Sequence, residues 1–530
     1  MTVRRRRWLP VLSALVLAGV VGPPAPALAE STVDCPAAVD EQAFASTARL
    51  RQLNATVAGF GLRTTGSAAH ERVIDWIEHE VDRLPEITTR SVPASLLKWQ
   101  PHGGDLESAG QLKVGPWQVP VAGAVPYSLP TAGSRGGLIY LPPGERITPA
   151  NARGRIVVRD FPWLPIPYDP ILNAAHHATP DLQALRGTVY DRGHPAESLL
   201  NRDLVDAGLA EAAGVVIAFD LPREQVRGYY EPHTGTHYRV PAVFVGSEEA
   251  RLLRWASGLP ADVAVHARRE PGTTRSLIAT LPGRSAERIV LDANTDGNTW
   301  VQENGNAALL AIADYLSRLP VRCRPRTVEF VFATGHLHRP IEGSEFRARE
   351  LDRDYDAGTV AFALAVEHLG TRELLPVPRW GGRELRFSGK SEFTGWYAGS
   401  PVLVSAAINA IRARGLDRTA VLPGYDPPVP GRVPPQCSFG GIGSHFHGHL
   451  IPTMATISGP WSLWAPSFGA SAIDFSRMRL QSLALADTVL ALGDVPREQI
   501  AGPYLAQRQA RAHGAPTCAG ELPPEHAPAP

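Results

Sequence analysis

The chain carries no excess of either charge: lysine plus arginine and aspartate plus glutamate each total 52 in 530 residues. A balanced chain offers no electrostatic footprint for nucleic acid or an anionic membrane, so its partners must be argued from sites. Cysteine is scarce. Cys35, Cys323, Cys437 and Cys518 are widely spaced and form no Cys-x-x-Cys pair, which favours disulfides over metal thiolates and leaves three possible connectivities. No apolar run reaches the span of about 20 residues that a membrane helix needs. There is no internal repeat. Ser67, Ser344 and Ser444 lie beside glycines, but none stands in a Gly-x-Ser-x-Gly elbow, so serine-hydrolase chemistry has no signature. Ser344 in "EGSEF" reads as a helix N-cap.

What is present begins with an address. Four arginines precede an apolar stretch that ends in small residues, in "MTVRRRRWLPVLSALVLAGVVGPPAPALAE". This predicts a signal peptide over 1–29, cleaved after Ala29, and a secreted, extracellular protein using either the general or the twin-arginine route. Apolar residues at 44% suit large cores in two to three domains, and 49 prolines with 49 glycines imply many turns between short strands.

Residues 44–84 alternate apolar and polar positions at helical spacing around a Gly-rich turn, predicting two helices. From about 111 to 275 the pattern changes to short β-rich runs such as "GGLIYL", "GRIVVRD", "AGVVIAF" and "VPAVFVG", which predict a separate, mainly β module. An irregular stretch, 162–202, interrupts it and holds His176, His177 and His194; it reads as a binding lid or a mobile surface loop. From 276 to about 510, strands and helices alternate, predicting a mostly parallel twisted sheet with helices on both faces. The tail over 511–530 is Pro-rich and reads as disordered.

Three predicted strands deliver polar groups just past their carboxyl ends. Asn294 and Asp296 follow the first, with Glu303 further along the same turn; His336 and His338 follow the second; Glu367 and His368 follow the third. A parallel sheet brings these ends to one edge, and His with carboxylate is the ligand set of catalytic zinc. A further group, His445, His447 and His449, has strand-like alternation that would place all three on one face. Taken alone, the first of these turns could equally be an ordinary capped helix start.

The order of these pieces resembles secreted zinc aminopeptidases of the family that includes glutamate carboxypeptidase and the transferrin receptor. "GFGLRTTGSAAHE" is similar to the family's Gly-Arg-x-x-Gly-Ser opening, and "ARGRIVVRD", "AEAAGVVIAFD" and "YRVPAVFVGSEEARLL" to its inserted protease-associated domain. The resemblance covers nearly all of the mature chain. It implies a zinc-exopeptidase-like α/β domain split into 30–110 and 276–510, with the protease-associated domain at 111–275.

The resemblance also implies a two-zinc site whose ligands are altered here. Asn294 replaces the first His ligand, two residues before the orienting Asp296, and Glu303 matches the bridging Asp. His336 and Leu337 stand where a Glu-Glu base and ligand pair belongs, Glu367 matches a further ligand, and Gly443 falls where the last His would be. A one-residue shift would offer His338. The implied centre is one zinc rather than two, using Glu303, Glu367 and His336 or His338, with His336 or Glu303 handling the proton. Two functions follow: an exported exopeptidase or amidohydrolase acting on a peptide or small amide, or a non-catalytic binding protein on the same scaffold.

Overall fold

The computed structural model describes residues 35–424 and 438–515. The signal segment, Cys437, Cys518 and the Pro-rich tail beyond 515 lie outside the described residues. Cys35 and Cys323 are both disulfide-bonded. Among the described residues, no helix is long and apolar enough to cross a membrane.

The two expected N-terminal helices are α1 (Thr47–Gly59) and α2 (Ala68–Asp82), each begun by a serine whose hydroxyl accepts a backbone N–H three residues on, Arg49 for Ser46 and His70 for Ser67. A nine-stranded sheet follows, comprising β1 (Thr88–Pro101), β2 (His177–Ala178), β3 (Ala267–Leu281), β4 (Ser285–Asn294), β5 (Arg326–Ala333), β6 (Val360–Val366), β7 (Thr394–Ala398), β8 (Thr419–Leu422) and β9 (Thr453–Ile457). Their spatial order is β1-β3-β5-β4-β6-β9-β7-β8-β2. The central four, β5-β4-β6-β9, run parallel as expected. Both flanks add antiparallel pairs, so the whole sheet is mixed.

One flank is antiparallel for a topological reason. The chain leaves the sheet at Pro101 and re-enters opposite it at Ala267, so β1 and β3 pair along their whole length. Between those points it builds an eight-stranded sheet within 110–265. Segment 162–202 is neither detached nor shapeless. It carries the edge strand β2, which pairs with β8, and part of α3 (Glu197–Leu209), and its Trp163 ring packs edge-on against Trp461 at 5.0 Å.

The centre of the nine-stranded sheet is buried on both faces. That explains why β6, "VAFALAV", reads as an unbroken rather than an alternating apolar run. After β4, the chain passes through α4 (Gly305–Ser317) to β5 on one side and then to β6 on the other. The strand order therefore reverses at β4, and a crevice outside the carboxyl ends at such a reversal is where open α/β sheets place their ligands.

Helix α5 (Gly343–Asp356) is fixed to the sheet by Arg347, whose Nε and Nη2 each donate at 2.7 Å to the buried Glu329 carboxylate on β5. Ser344 does not cap this helix: it lies within the first turn, and the N-cap position belongs to Glu342. The 445–449 histidines also depart from expectation, because they lie on a helix, α6 (Gly443–Gly448), and at its end. At helical spacing His445 and His449 share a face, and both meet Glu345 on α5, at 3.0 and 2.9 Å. His447 points the other way, stacked on Phe439 at 4.3 Å and bonded to Tyr504.

His449 also lies 3.5 Å from Asp352, which is paired by Arg508 and Arg511 of helix α7 (Pro503–Ala512). Burial opposes its charge, but Asp352 and Glu345 outweigh burial and lift its pKa to about 9. A raised folded-state pKa gives stability that is full below about 6.5, the unfolded value, and is lost as pH rises through about 9. Glu345 and Asp352 are held below the ordinary carboxylate range by the same contacts, burial opposing, so they contribute above that range and fail in acid. His449→Gln should therefore shrink the fall in Tm between pH 6.5 and 9, and also part of the loss in acid, since Glu345 and Asp352 each lose a partner; thermal melts of both proteins across pH check it.

Candidate functional site

The turn after β4 is held from outside by the Gly-rich segment that follows α1. Arg63 and Gly297 exchange backbone hydrogen bonds at 2.8 and 3.1 Å, bringing the Arg63 side chain under the turn. There, Arg63 Nη2 donates to Glu303 Oε2 at 2.6 Å, and both side chains are essentially without solvent contact. Arg63 also donates to the carbonyls of Gly61 and Thr299. Gly297 is required here, since a Cβ at this position would fall 0.8 Å from Glu303 Oε1. Burial raises the Glu303 pKa and Arg63 opposes the rise.

Asp296 is also committed. Its carboxylate accepts from Thr65 Oγ1 at 2.6 Å, Leu337 N at 2.9 Å and His336 N at 3.2 Å, tying the turn after β4 to the one after β5. Asn294 Nδ2 donates to Glu367 Oε1 at 3.2 Å, while Ile442 N donates to Glu367 Oε2 at 2.8 Å. The close approach of Glu367 uses Gly441, at φ +60°, where a Cβ would lie 1.8 Å from that oxygen. Thus glycine and a backbone N–H stand beside the carboxylate near the place where the resemblance implies a histidine.

The histidines divide. His336 Nδ1 lies 3.7 Å from Glu342 Oε1, an ion-pair distance rather than a hydrogen bond. Burial disfavours its charged form, but Glu342, then Glu367 and Asp296, more than offset this and lift its pKa to about 9. The rise favours the protonated ring, in which neither nitrogen keeps a lone pair for use as a base. His338 is buried against Tyr127 and His237, with ring centroids at 5.6 and 5.8 Å, and burial lowers its pKa to about 3. It packs on the 110–265 module instead of supplying the ligand that Leu337 lacks. His368 is neutral, its pKa lowered by burial to about 3; Nδ1 donates to Ser458 O at 2.6 Å, so the bare Nε2 faces Glu367 Oε1 at 3.7 Å. Its φ of +55° is strained for a non-glycine residue.

Sequence reasoning did not anticipate Arg63, Glu342, Glu197, Glu231 or His233. Arg63 stands in the quoted Gly-rich motif, and a buried guanidinium needs an acid, which was the available signal. Glu197, Glu231 and His233 surround a second centre. His233 stacks on Trp464 at 4.4 Å, its ring lies 5.0 Å from that of His336, and its Nδ1 is 2.8 Å from Glu197 Oε1. Among the described residues, a group of at least three His, Cys, Asp or Glu side chains whose ligand atoms lie within 4.8 Å of one another occurs at Glu197, Glu231 and His233 and nowhere else.

The residues therefore do not fit the two-metal centre that the resemblance implies. Glu303 is bound by a guanidinium, Asp296 by three donors and Glu367 by an amide and an N–H, while Leu337 has no ligating atom. The 162–202 segment and the 229–238 loop close over them: Tyr190 OH donates to Gly459 O at 2.8 Å, and Glu197 contacts His233. A cavity of about 630 Å³ lined by Asp181, Arg372, Phe387, Lys390, Asp417 and Arg418 shares none of these residues.

No protein-family profile and no curated protein sequence matches the chain. Solved structures do. A peptidase M28 precursor from Shewanella amazonensis SB2B aligns with TM-score 0.58 at 14% identity, over 86% of this chain and 94% of that one. A zinc aminopeptidase from Bacillus subtilis gives 0.57 at 13%, over 84% and 94%, and an aminopeptidase from Aneurinibacillus sp. strain AM-1 gives 0.53 at 14%, over 86% and 96%. The chain has the zinc-exopeptidase-like α/β fold.

If Arg63 is the partner that makes Glu303 tolerable, then Arg63→Met should cost about 3–5 kcal/mol, because it strands a buried carboxylate. The double variant Arg63→Met, Glu303→Met should recover most of that loss. Denaturant unfolding of the three proteins checks it, and equal losses in single and double variants would contradict it.

Proposed function

We propose that this chain is an exported protein that keeps a peptidase scaffold but has given up the family's two-zinc hydrolysis, and that it acts by binding a peptide or amide-bearing partner. The observation that carries this reading is the Arg63–Glu303 pair, which places a permanent cation on the carboxylate that would bridge two metals. Around it, His336 as imidazolium and Asn294 as amide neutralise or cap the neighbouring acids. Arg63 and His336 thus bring positive charge from within the chain, and Asn294 brings a hydrogen bond to Glu367.

The eight-stranded insertion between β1 and β3, with strands from Gly110 to Val265, fits a protease-associated module that ends earlier than 275, because β3 already begins at Ala267. Export is supported by the disulfide-bonded Cys35 and Cys323, which belong in an oxidising compartment. A peptide as ligand class follows from the scaffold, whose structural neighbours are aminopeptidases.

The test is a panel of aminoacyl and peptidyl amides with the purified mature chain, with and without added zinc, alongside Glu303→Gln. The expected result is no zinc-stimulated turnover in either protein, with peptide binding measurable by calorimetry and unchanged in the variant. Chelator-sensitive turnover that falls by roughly 100-fold or more in Glu303→Gln would overturn the reading.

A further inference from the structure

We infer that Glu197, Glu231 and His233 form a mononuclear site for a divalent first-row transition ion, Zn²⁺ being the first to test, separate from the positions the peptidase family uses. One ligand atom of each residue lies within 4.8 Å of the other two. A tetrahedral ion with bonds of ~2.1 Å holds its ligand atoms ~3.4 Å apart, so small side-chain movements suffice, with His233 Nδ1 and Glu197 Oε1 opening from 2.8 Å. A set of one imidazole and two carboxylates suits zinc and its neighbours; calcium and magnesium prefer oxygen alone.

Two buried atoms point independently to a ligand. Glu231 has no solvent contact, and Tyr229 OH bonds only its Oε2, at 2.6 Å, leaving Oε1 buried with no partner. His233 Nδ1 is 2.8 Å from Glu197 Oε1 but makes no hydrogen bond of acceptable geometry. An unpaired buried carboxylate oxygen and a close, unaligned nitrogen and oxygen are each costly by themselves, and one shared cation relieves both. Trp464, stacked on the imidazole, already restricts the ring.

Arg339 is the competitor. Its Nη2 lies 3.3 Å from Glu197 Oε2 and 3.0 Å from His233 Nε2, so without a metal Nε2 accepts and Nδ1 carries the ring proton. A metal at Nδ1 needs the other tautomer, with the proton on Nε2, and Arg339 must then leave the ring. Its side chain is 35% exposed and can swing outward. Three protein ligands leave a coordination position open, so the ion would accept a carboxylate or carbonyl oxygen from a bound molecule.

Calorimetry of the full mature chain, stripped of metal and titrated with Zn²⁺, tests this. The expected result is one ion per chain, weakened roughly tenfold or more in Glu231→Gln and in His233→Ala, unchanged in Glu303→Gln and tightened in Arg339→Gln. Zinc should also raise Tm in the wild type and not in Glu231→Gln, an isostere that keeps the fold. Absence of stoichiometric binding, or binding indifferent to Glu231→Gln and His233→Ala, would overturn the inference. Loss of zinc in Glu303→Gln with retention in Glu231→Gln would overturn both this site and the reading of the family centre given above.

Discussion

The site is organised by one buried ion pair, Arg63 on Glu303. Taking a guanidinium and a carboxylate out of water is expensive, and their attraction repays it only when geometry and remaining hydrogen bonds are supplied together. The structure supplies most of them: Arg63 reaches two carbonyls as well as Glu303, its backbone pairs with Gly297, and Gly297 has no Cβ to obstruct the carboxylate, while Arg63 Nε and Glu303 Oε1 stay buried without a hydrogen-bond partner. Two residues further on, Thr65 binds Asp296, which also receives the N–H groups of His336 and Leu337. The pair thus fixes the turn after β4, and that turn fixes the turn after β5.

Charge explains the rest of the centre. A two-metal site gathers carboxylates around dications; here the same sheet edge holds Glu303, Glu342 and Glu367 against a guanidinium, an imidazolium and an amide. Each of these acids has a partner from the chain itself, while Glu303 Oε1, Glu342 Oε1 and His336 Nδ1 stay buried without a hydrogen bond. The chain also covers this edge: the 162–202 segment and the 229–238 loop pack over the strand ends through Tyr190, Trp163 and His233. The unsatisfied atoms at Glu231 and His233 occur on that cover, on a different element from Asn294, Glu303 and Glu367.

Much of the fold was legible because the central strands are buried on both faces and therefore read as mostly apolar runs, while α1, α2 and α4 keep helical periodicity. The edge was less so. β2 is two residues long and owes its existence to β8, and the 445–449 histidines alternate like a strand although glycines and a packed partner helix make them helical. In the site, Asn294, Asp296, Glu303, His336 and Glu367 could be placed on the strand ends by pattern alone. What pattern could not give was pairing. Arg63 is 240 residues from Glu303, Glu342 faces His336 only because α5 begins where it does, and His338 turns to Tyr127 and His237 on a module contributed by another part of the chain.

Anomalous diffraction at the zinc edge, from crystals grown with Zn²⁺, tests most directly whether protein cations hold the family centre. The predicted map has no anomalous peak between Glu303 and Glu367, with the Arg63 guanidinium still on Glu303. A peak bridging those two carboxylates, with Arg63 displaced, would contradict it.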